Sequence, residues 1–205
     1  MIHKITYLSA LGLILLLPFT ITHLTVSEQE VKFLTTESQF EAGSTIILKF
    51  SNPNNSLPNL YCSNGYGSII IYPILKDDIL RYKIPKAISN KSGLVNWRLL
   101  TLDEELSGDF NIYSKQEVAA METYLGPPSI EAGGADYSML VVVPTDALDN
   151  PLKDGTQVLV KHQFLDSERI ESVATNNLIA FKTIYSQSKT GRILIASECL
   201  EVNWP

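Results

Sequence analysis

The sequence predicts an all-β protein in which antiparallel sheets pack as sandwiches. Short apolar segments recur along the 205 residues, and clusters of Gly, Pro, Asn and Asp separate them. Residues 157–164 alternate, with Val158, Val160, His162 and Phe164 on one side and mostly polar residues on the other. Such alternation is typical of a strand that buries one face. Repeated short strands between turn signals favour a sandwich of two sheets.

The first half of the chain is predicted to contain six strands. They cover residues 31–34, 45–50, 68–72, 79–84, 94–100 and 110–113. Turns are predicted at 40–43, 76–78 and 103–105, and loops at 52–67 and 85–93, where turn-forming or charged residues accumulate. Trp97 lies within a predicted strand, and we expect its ring to belong to the core.

The second half centres on a predicted strand, turn and strand. Residues 139–143 form an apolar run, residues 146–155 are rich in Asp, Asn, Pro and Gly, and the alternating strand 157–164 follows. Residues 115–124 are predicted to form either a short helix or a linker strand. The Gly-Pro-Pro segment at 126–128 predicts a stiff connection.

The turn-rich segment also carries a family resemblance. Residues 146–158, DALDNPLKDGTQV, resemble the bacterial Ig-like domains of the invasin and intimin type. Those domains have a strand, a turn of the form Asp-x-x-Gly-Asn-Pro, a small turn and a second strand. Asp149 stands where they usually have Gly. The resemblance covers residues 129–202 and implies an extracellular Ig-like β-sandwich that serves as a spacer or adhesive module.

Two short patterns occur twice and in the same order. Residues 40–43, FEAG, are echoed by IEAG at 130–133, and residues 107–112 are echoed by 190–195. Such repetition predicts two tandem domains, although chance recurrence of common turn residues is the alternative. The predicted division is an N-terminal export segment at 1–27, a first Ig-like sandwich at 28–116 and a second at 117–205.

The N-terminal segment is predicted to direct export. Lys4 precedes a long apolar stretch that contains Pro18 and ends in small polar residues, which is how a signal peptide is built. An uncleaved membrane anchor is the alternative, because about 20 apolar residues span a bilayer. Both readings place the rest of the chain in the periplasm, on the cell surface or outside the cell.

The net charge and the motifs argue against several classes of function. A net charge of −6 argues against nucleic-acid binding, which requires a basic surface. No phosphate loop, dinucleotide fingerprint or nucleophile motif occurs, and His162 is the one histidine after residue 27. We expect a hydrogen-bonded, partly buried His162 and predict neither an enzyme nor a cofactor.

Four residues raise the question of a metal. Asp146, Asp149, Asn150 and Asp154 bring oxygen atoms close in sequence, so calcium is one hypothesis. Their spacing differs from an EF-hand loop, and the favoured interpretation is that these side chains cap their own turns. No metal site is therefore predicted.

Two cysteines, Cys62 and Cys199, lie far apart in the sequence. An oxidising compartment would allow them to pair. The favoured interpretation is two separate thiols, one in each predicted domain, each behaving as a small apolar residue.

The predicted loop at 52–67 supplies the candidate binding residues, which are Leu60, Tyr61 and Tyr66. Tyrosines on a loop provide contact area at low entropy cost, whereas the alternative is that they pack onto the sheet edge. Trp204 is compatible with either role.

The predicted function is adhesion, spacing or assembly at a bacterial envelope, with a protein or surface glycan as partner. The rival is a carbohydrate-binding or enzyme-accessory module.

Overall fold

The computed structural model describes residues 30–101 and 105–199. The predicted export segment 1–27, the acidic residues Asp103 and Glu104, and Trp204 lie outside this range. No helix among the described residues has the length and apolar composition needed to cross a membrane.

Strands dominate the described residues, together with one short helix. In chain order they are β1 (Gln39–Glu41), β2 (Ile47–Ser51), β3 (Asn59–Asn64), β4 (Gly67–Ile71), β5 (Ile74–Lys76), β6 (Ile79–Lys83), α1 (Lys86–Ser89), β7 (Gly93–Leu100), β8 (Glu105–Tyr113), β9 (Ala120–Gly126), β10 (Tyr137–Thr145), β11 (Gln157–Phe164), β12 (Ser167–Ala174), β13 (Ala180–Tyr185) and β14 (Ile193–Cys199). The all-β prediction is confirmed.

The first sandwich is built from β1 to β8. One sheet has the strand order β1-β8-β7-β3-β4, and the facing sheet has the order β2-β6-β5. β1 runs parallel to β8, and the other named pairs are antiparallel. Apart from β1, which pairs with β8, this strand order is that of the Ig fold. The core combines Phe50 and Tyr82 from one sheet with Trp97 and Phe110 from the other.

The second sandwich is built from β9 to β14. Its sheets have the strand orders β13-β10-β9 and β12-β11-β14, with antiparallel pairing throughout. Its smaller core consists of Leu140, Val142, Val158, Val160, Ala180 and Ile184. The alternating strand predicted at 157–164 is confirmed residue for residue as β11, with Val158 and Val160 buried.

Two glycines make room for aromatic rings of the adjacent strand. A Cβ at Gly108 in β8 would lie 2.6 Å from Cζ2 of Trp97 in β7. A Cβ at Gly191, just before β14, would lie 2.6 Å from Cε2 of Phe164 in β11. Both distances are shorter than a van der Waals contact, so each ring occupies space that only glycine leaves open.

The prediction of a loop at residues 52–67 was wrong. It contains the whole of β3 and the start of β4, joined by a turn at Gly65 and Tyr66. Leu60 and Cys62 alternate inward and are fully buried, and burial of these side chains favours a strand over the loop that the surrounding Asn and Pro residues suggested.

Three further segments differ from the prediction or decide between its alternatives. Residues 31–34 contribute a single bridge, Phe33 to Phe50, instead of a full strand. The loop predicted at 85–93 contains α1, and residues 115–124 include the first part of β9, so the linker-strand alternative is correct.

The first repeated pattern, at residues 40–43 and 130–133, lies at structurally equivalent positions in the two sandwiches. The Gly43 N–H donates to Ser89 O at 2.8 Å, and the Gly133 N–H donates to Gln187 O at 2.9 Å. Each turn thus bonds to the segment that follows β6 or β13, respectively. The second repeated pattern, at residues 107–112 and 190–195, does not mark equivalent positions, because it aligns β14 with β8. β14 pairs with β11 as β7 pairs with β3, so β7 is its counterpart.

The two cysteines remain separate thiols, as predicted. Cys62 belongs to the core of the first sandwich, and burial raises the pKa of its thiol to about 12. Cys199 packs against the second core, and burial raises the pKa of this thiol as well. A raised pKa keeps both groups in the less reactive thiol form.

Candidate functional site

The outer face of the β13-β10-β9 sheet carries a cluster of exposed large apolar side chains. We call it the aromatic face; it comprises Tyr124, Tyr137, Met139, Phe181 and Tyr185. Side chains alternate along a strand, so the residues between them, such as Leu140 and Ile184, point into the core. β10 is therefore apolar on both sides over residues 139–143.

Strand register brings these side chains into adjacent rows. Tyr137 lies opposite Tyr185, with ring centroids 6.0 Å apart and ring planes at 60°. Val141 lies opposite both Phe181 and Tyr124, one on each neighbouring strand. Directly opposed residues in a sheet have Cβ atoms about 5 Å apart, so the rows form one largely apolar surface, in which Thr183 lies opposite Met139.

A single carboxylate borders the aromatic face. At the outward positions of β9, β10 and β13, all of which the structure describes, Glu122 is the one charged residue. The Tyr124 hydroxyl donates to Glu122 Oε2 at 2.7 Å, and this hydrogen bond and the negative charge of the carboxylate raise the pKa of Tyr124. Tyr124 is thereby fixed at the edge of the apolar surface.

The structure does not bring Leu60, Tyr61 and Tyr66 together on one surface. Leu60 is 0% exposed and belongs to the first core, so it is unavailable to a partner. Tyr61 is half-buried on the outer side of β3, with Arg98 6.0 Å from its ring. Tyr66 is 63% exposed in the β3–β4 turn, and Lys91 Nζ lies 5.5 Å from its ring centroid.

The segment with the family resemblance connects the two sandwiches. The Asp146 carboxylate accepts hydrogen bonds from the backbone N–H groups of Lys115 at 2.9 Å and Leu148 at 2.8 Å. The Asn150 side-chain oxygen accepts from the Ser92 N–H at 2.8 Å, and its amide group donates to Asn90 O at 2.9 Å. Residues 90–92 precede β7, so these bonds tie the second sandwich to the first.

Apolar packing accompanies this polar joint. Leu148 packs against the first core, and a Cβ at Gly43 would lie 3.0 Å from Leu148 Cδ1. Lys91 Nζ donates to Leu148 O at 3.2 Å. We call residues 146–150, with their partners at 90–92, 115 and 43, the joint.

The Asp146 carboxylate in the joint is held in its charged form. Burial would raise the pKa of Asp146, which is 2% exposed. Hydrogen bonds from Asn150, Lys115 and Leu148 outweigh that effect and keep the pKa below its ordinary value. Among the four residues considered for calcium, Asp146 uses its carboxylate oxygens to cap nearby backbone, as the favoured interpretation predicted.

His162 lies half-buried between the sheets of the second sandwich. It lines a small cavity of about 200 Å³ together with Arg169, Glu171 and Lys182. Lys182 and Glu171 form an ion pair across the two sheets, and the hydrogen bond from Lys182 lowers the pKa of Glu171. The His162 Nδ1 atom is buried without a hydrogen-bond partner among the described residues, which differs from the hydrogen-bonded histidine we expected.

Sequence reasoning missed the aromatic face. Its signal lay in residues 139–143, which are apolar without interruption and therefore apolar on both sides of a strand. A strand of an antiparallel sheet with one solvated side would alternate instead. Phe181 and Tyr185 supply the same signal, because Ala180 and Ile184 beside them are buried.

Comparison with family models finds no match, and comparison with curated protein sequences finds none either. Solved structures do match. Salmonella alpha-2-macroglobulin reacted with methylamine is 15% identical with a TM-score of 0.35, over 83% of this chain and 14% of that protein. Invasin, a bacterial integrin-binding protein, is 13% identical with a TM-score of 0.42, over 83% of this chain and 36% of invasin.

A third solved structure with similarity is FdeC, an Escherichia coli adhesin. It is 14% identical with a TM-score of 0.37, over 84% of this chain and 60% of FdeC. The chain therefore spans less than two thirds of the length of each of these three proteins.

Proposed function

We propose that the protein is an exported, non-enzymatic adhesion, spacer or assembly module of a bacterial envelope or cell surface. Its units would be two Ig-like domains of the invasin and intimin type, at residues 28–116 and 117–205. The aromatic face of the second domain would contact a protein partner. The observation that carries this proposal is the largely apolar surface formed by Tyr124, Tyr137, Met139, Phe181 and Tyr185.

The composition of this face supports protein binding. Large exposed apolar patches are rare on monomers and commonly mark interaction sites. The buried centres of protein interfaces are enriched in Tyr, Phe and Met and depleted in charged residues. The aromatic face has this composition, with Glu122 at one edge. A few aromatic anchors of this kind commonly contribute about 2 kcal/mol or more each to binding.

The joint supports the role of a spacer. Its two central side chains are buried: Asn150 is 0% exposed and Asp146 is 2% exposed. Breaking a buried hydrogen bond leaves an unsatisfied group that costs about 1–3 kcal/mol, so the joint resists bending. A stiff connection between two sandwiches would hold the aromatic face at a defined distance from whatever the first domain is attached to.

Exposed aromatic rings also favour the rival function, carbohydrate binding. A sugar chain stacks best on rings that share a plane, whereas the Tyr137 and Tyr185 rings are inclined at 60°. This inclination suits the irregular surface of a protein partner better. The rival is therefore kept as the second candidate.

Binding of the purified chain to envelope proteins of the producing bacterium and to a glycan array would test the proposal. A Phe181→Ser and Tyr185→Ser double variant should reduce protein binding at least about tenfold. The matched variant is Tyr61→Ala with Tyr66→Ala, which alters the predicted binding residues of the first sandwich and should have the smaller effect.

Two outcomes would contradict the proposal. Loss of binding in the Tyr61 and Tyr66 variant alone would assign recognition to the first sandwich. Binding to glycans in place of proteins, with the same loss in the Phe181 and Tyr185 variant, would establish the rival. Circular dichroism of each variant shows whether it remains folded.

A further inference from the structure

The turn between β3 and β4 contains the one Asn-Gly pair of the sequence, Asn64-Gly65. Asn64 lies opposite Gly67, so Gly65 and Tyr66 form a tight turn between the two strands. The backbone nitrogen that follows an asparagine can attack the side-chain amide of that asparagine, because the chain holds the two groups close together. Glycine obstructs this attack least, because it has no Cβ.

The nitrogen atom of Gly65 is available for such an attack. Within residues 30–101 and 105–199, its N–H donates no hydrogen bond. Gly65 is exposed, and a Cβ at this position would have no neighbouring atom within 4 Å. Hydroxide from the solvent therefore reaches the N–H group, and removal of its proton creates a nucleophile.

The side-chain oxygen of Asn64 is held by two backbone donors. Asn64 Oδ1 accepts hydrogen bonds from the Tyr66 N–H at 2.9 Å and from the Gly67 N–H at 3.1 Å. Negative charge develops on this oxygen when a nucleophile attacks Asn64 Cγ. Two backbone N–H groups at such distances are the arrangement that stabilises an oxyanion. The turn thus provides the stabilising contacts before the reaction begins.

The side-chain nitrogen of Asn64 is the leaving group, and hydrogen bonds do not retain it. Asn64 Nδ2 is buried and has no hydrogen-bond partner among the described residues. A buried donor without an acceptor is unfavourable. Loss of this nitrogen as ammonia therefore breaks no hydrogen bond within the described part of the protein.

The one Asp-Gly pair of the sequence, Asp154-Gly155, shows the opposite arrangement of the nucleophile. Asp154 Oδ1 accepts a hydrogen bond from the Leu178 N–H at 2.7 Å, so a backbone donor holds the side-chain oxygen here as well. The Gly155 N–H, however, donates to Thr175 O at 2.9 Å. An N–H that is bonded to a carbonyl has to give up that bond before its nitrogen can attack.

We propose that Asn64 is a site of spontaneous modification, in which the Gly65 nitrogen displaces the side-chain nitrogen of Asn64. The Gly65 N–H loses its proton to hydroxide, and its nitrogen forms a bond to Asn64 Cγ. The bond between Cγ and Nδ2 breaks, and the nitrogen takes up a proton from water and leaves as ammonia. Water then opens the resulting succinimide: attack at Cγ yields Asp, and attack at the main-chain carbonyl yields isoaspartate.

Either product changes the β3–β4 turn. Asp adds a negative charge close to Tyr66, whose ring centroid lies 5.5 Å from Lys91 Nζ. Isoaspartate adds a carbon to the main chain where Asn64 and Gly67 pair across the strands, so this pair loses its register. The modification concerns the first sandwich and is independent of the function proposed above.

The test uses the full chain with Asp154→Asn, which creates a second Asn-Gly pair at a glycine whose N–H is bonded. The folded chain and the chain unfolded in guanidinium chloride are incubated at mildly alkaline pH in water enriched in heavy oxygen. One solvent oxygen enters at each conversion, and peptide mapping by mass spectrometry locates it.

We expect Asn64 to convert at least as fast in the folded chain as in the unfolded chain. The introduced pair at position 154 should convert at least about tenfold more slowly in the folded chain than in the unfolded chain, because folding protects its N–H. The rate at Asn64 should rise in proportion to the hydroxide concentration. Gly65→Ala should slow it at least about tenfold, with an unchanged circular dichroism spectrum, since the added Cβ obstructs the attack and lies in open space.

Two results would overturn the proposal. Slower conversion of Asn64 in the folded than in the unfolded chain would show that the turn protects this residue. Equal ratios of folded to unfolded rates at positions 64 and 154 would remove the role of the available Gly65 N–H. If Asp154→Asn fails to fold, the comparison of the folded and unfolded states of the unaltered chain decides.

Discussion

Asp146 and Asn150 hydrogen-bond to each other in both directions. The Asp146 N–H donates to Asn150 O at 2.9 Å, and the Asn150 N–H donates to Asp146 Oδ1 at 2.9 Å. The Asn150 side chain adds a bond of 3.1 Å to Asp146 Oδ2. This pair closes the turn and leaves the remaining polar atoms of Asn150 directed at residues 90–92 of the first sandwich.

Replacing Asn150 by Ala should loosen the joint. The change leaves the half-buried Ser92 N–H and part of the buried Asp146 carboxylate without these partners, so we expect a loss of about 2–4 kcal/mol in the free energy of unfolding. Urea denaturation measures the loss, and small-angle X-ray scattering should show a wider range of overall dimensions. Asp149→Gly is the control, because Asp149 is exposed and has φ +62°, a conformation that glycine adopts readily. Equal loss in both variants would contradict the role assigned to Asn150.

Acid should weaken the joint. The folded protein holds the pKa of Asp146 below its ordinary value of about 4, so the carboxylate stabilises the fold above that pH and loses its effect as the pH falls further. Urea midpoints measured between neutral pH and about pH 3 should therefore fall more steeply for the parent than for Asp146→Asn. The variant should be the less stable of the two at neutral pH. Parallel pH profiles would show that Asp146 makes no such contribution.

A charge at Val160 should unfold the second sandwich. Val160 is buried in the second core, and an unpaired buried carboxylate costs several kcal/mol, which approaches the roughly 5–15 kcal/mol that stabilises a whole domain. Calorimetry of Val160→Asp should keep the transition of the first sandwich and lose that of the second. Gln163→Asp, at an exposed position of β11, should keep both. If the parent shows one undivided transition and Val160→Asp loses it, both sandwiches unfold as a unit.

A methyl group at Gly108 should strain the first sandwich. The added Cβ would overlap the Trp97 ring, and overpacking of this kind typically costs about 1–3 kcal/mol. Urea denaturation measures this cost, and Trp97 fluorescence, recorded with Trp204 replaced by Phe, should report the displaced ring. Gly67→Ala is the matched control, because no neighbouring atom lies within 4 Å of a Cβ there. A stable Gly108→Ala variant with unchanged emission would contradict the packing.

Sequence periodicity predicted the parts of the fold in which the residue pattern agrees with burial. β11 is the clearest case, since its alternation holds over the whole strand. The prediction missed β3 because this strand is flanked by Asn and Pro at one end and by a Gly-Tyr-Gly turn at the other. Those turn residues outweighed the two inward positions, Leu60 and Cys62, in a purely local interpretation.

The candidate sites depend on contacts that local patterns do not contain. Turn capping by Asp146 was predictable, because an Asp side chain bonds to nearby backbone. The bond from Asn150 to Asn90 spans 60 residues and requires the two sandwiches to be in place. Likewise, Tyr124, Tyr137 and Phe181 belong to three separate strands, and only the register of the sheet makes them neighbours.

The parallel pairing of β1 with β8 has a mechanical consequence. Gln39, Phe40 and Glu41 lie opposite Asn111, Ile112 and Tyr113, and flanking backbone bonds of 2.8 and 2.9 Å extend the ladder at each end. Tension pulls β1 from its beginning and β8 from its end, where the chain leaves for the second sandwich. In parallel strands these points lie at opposite ends of the ladder, so the load shears all of its bonds at once instead of unzipping them one after another.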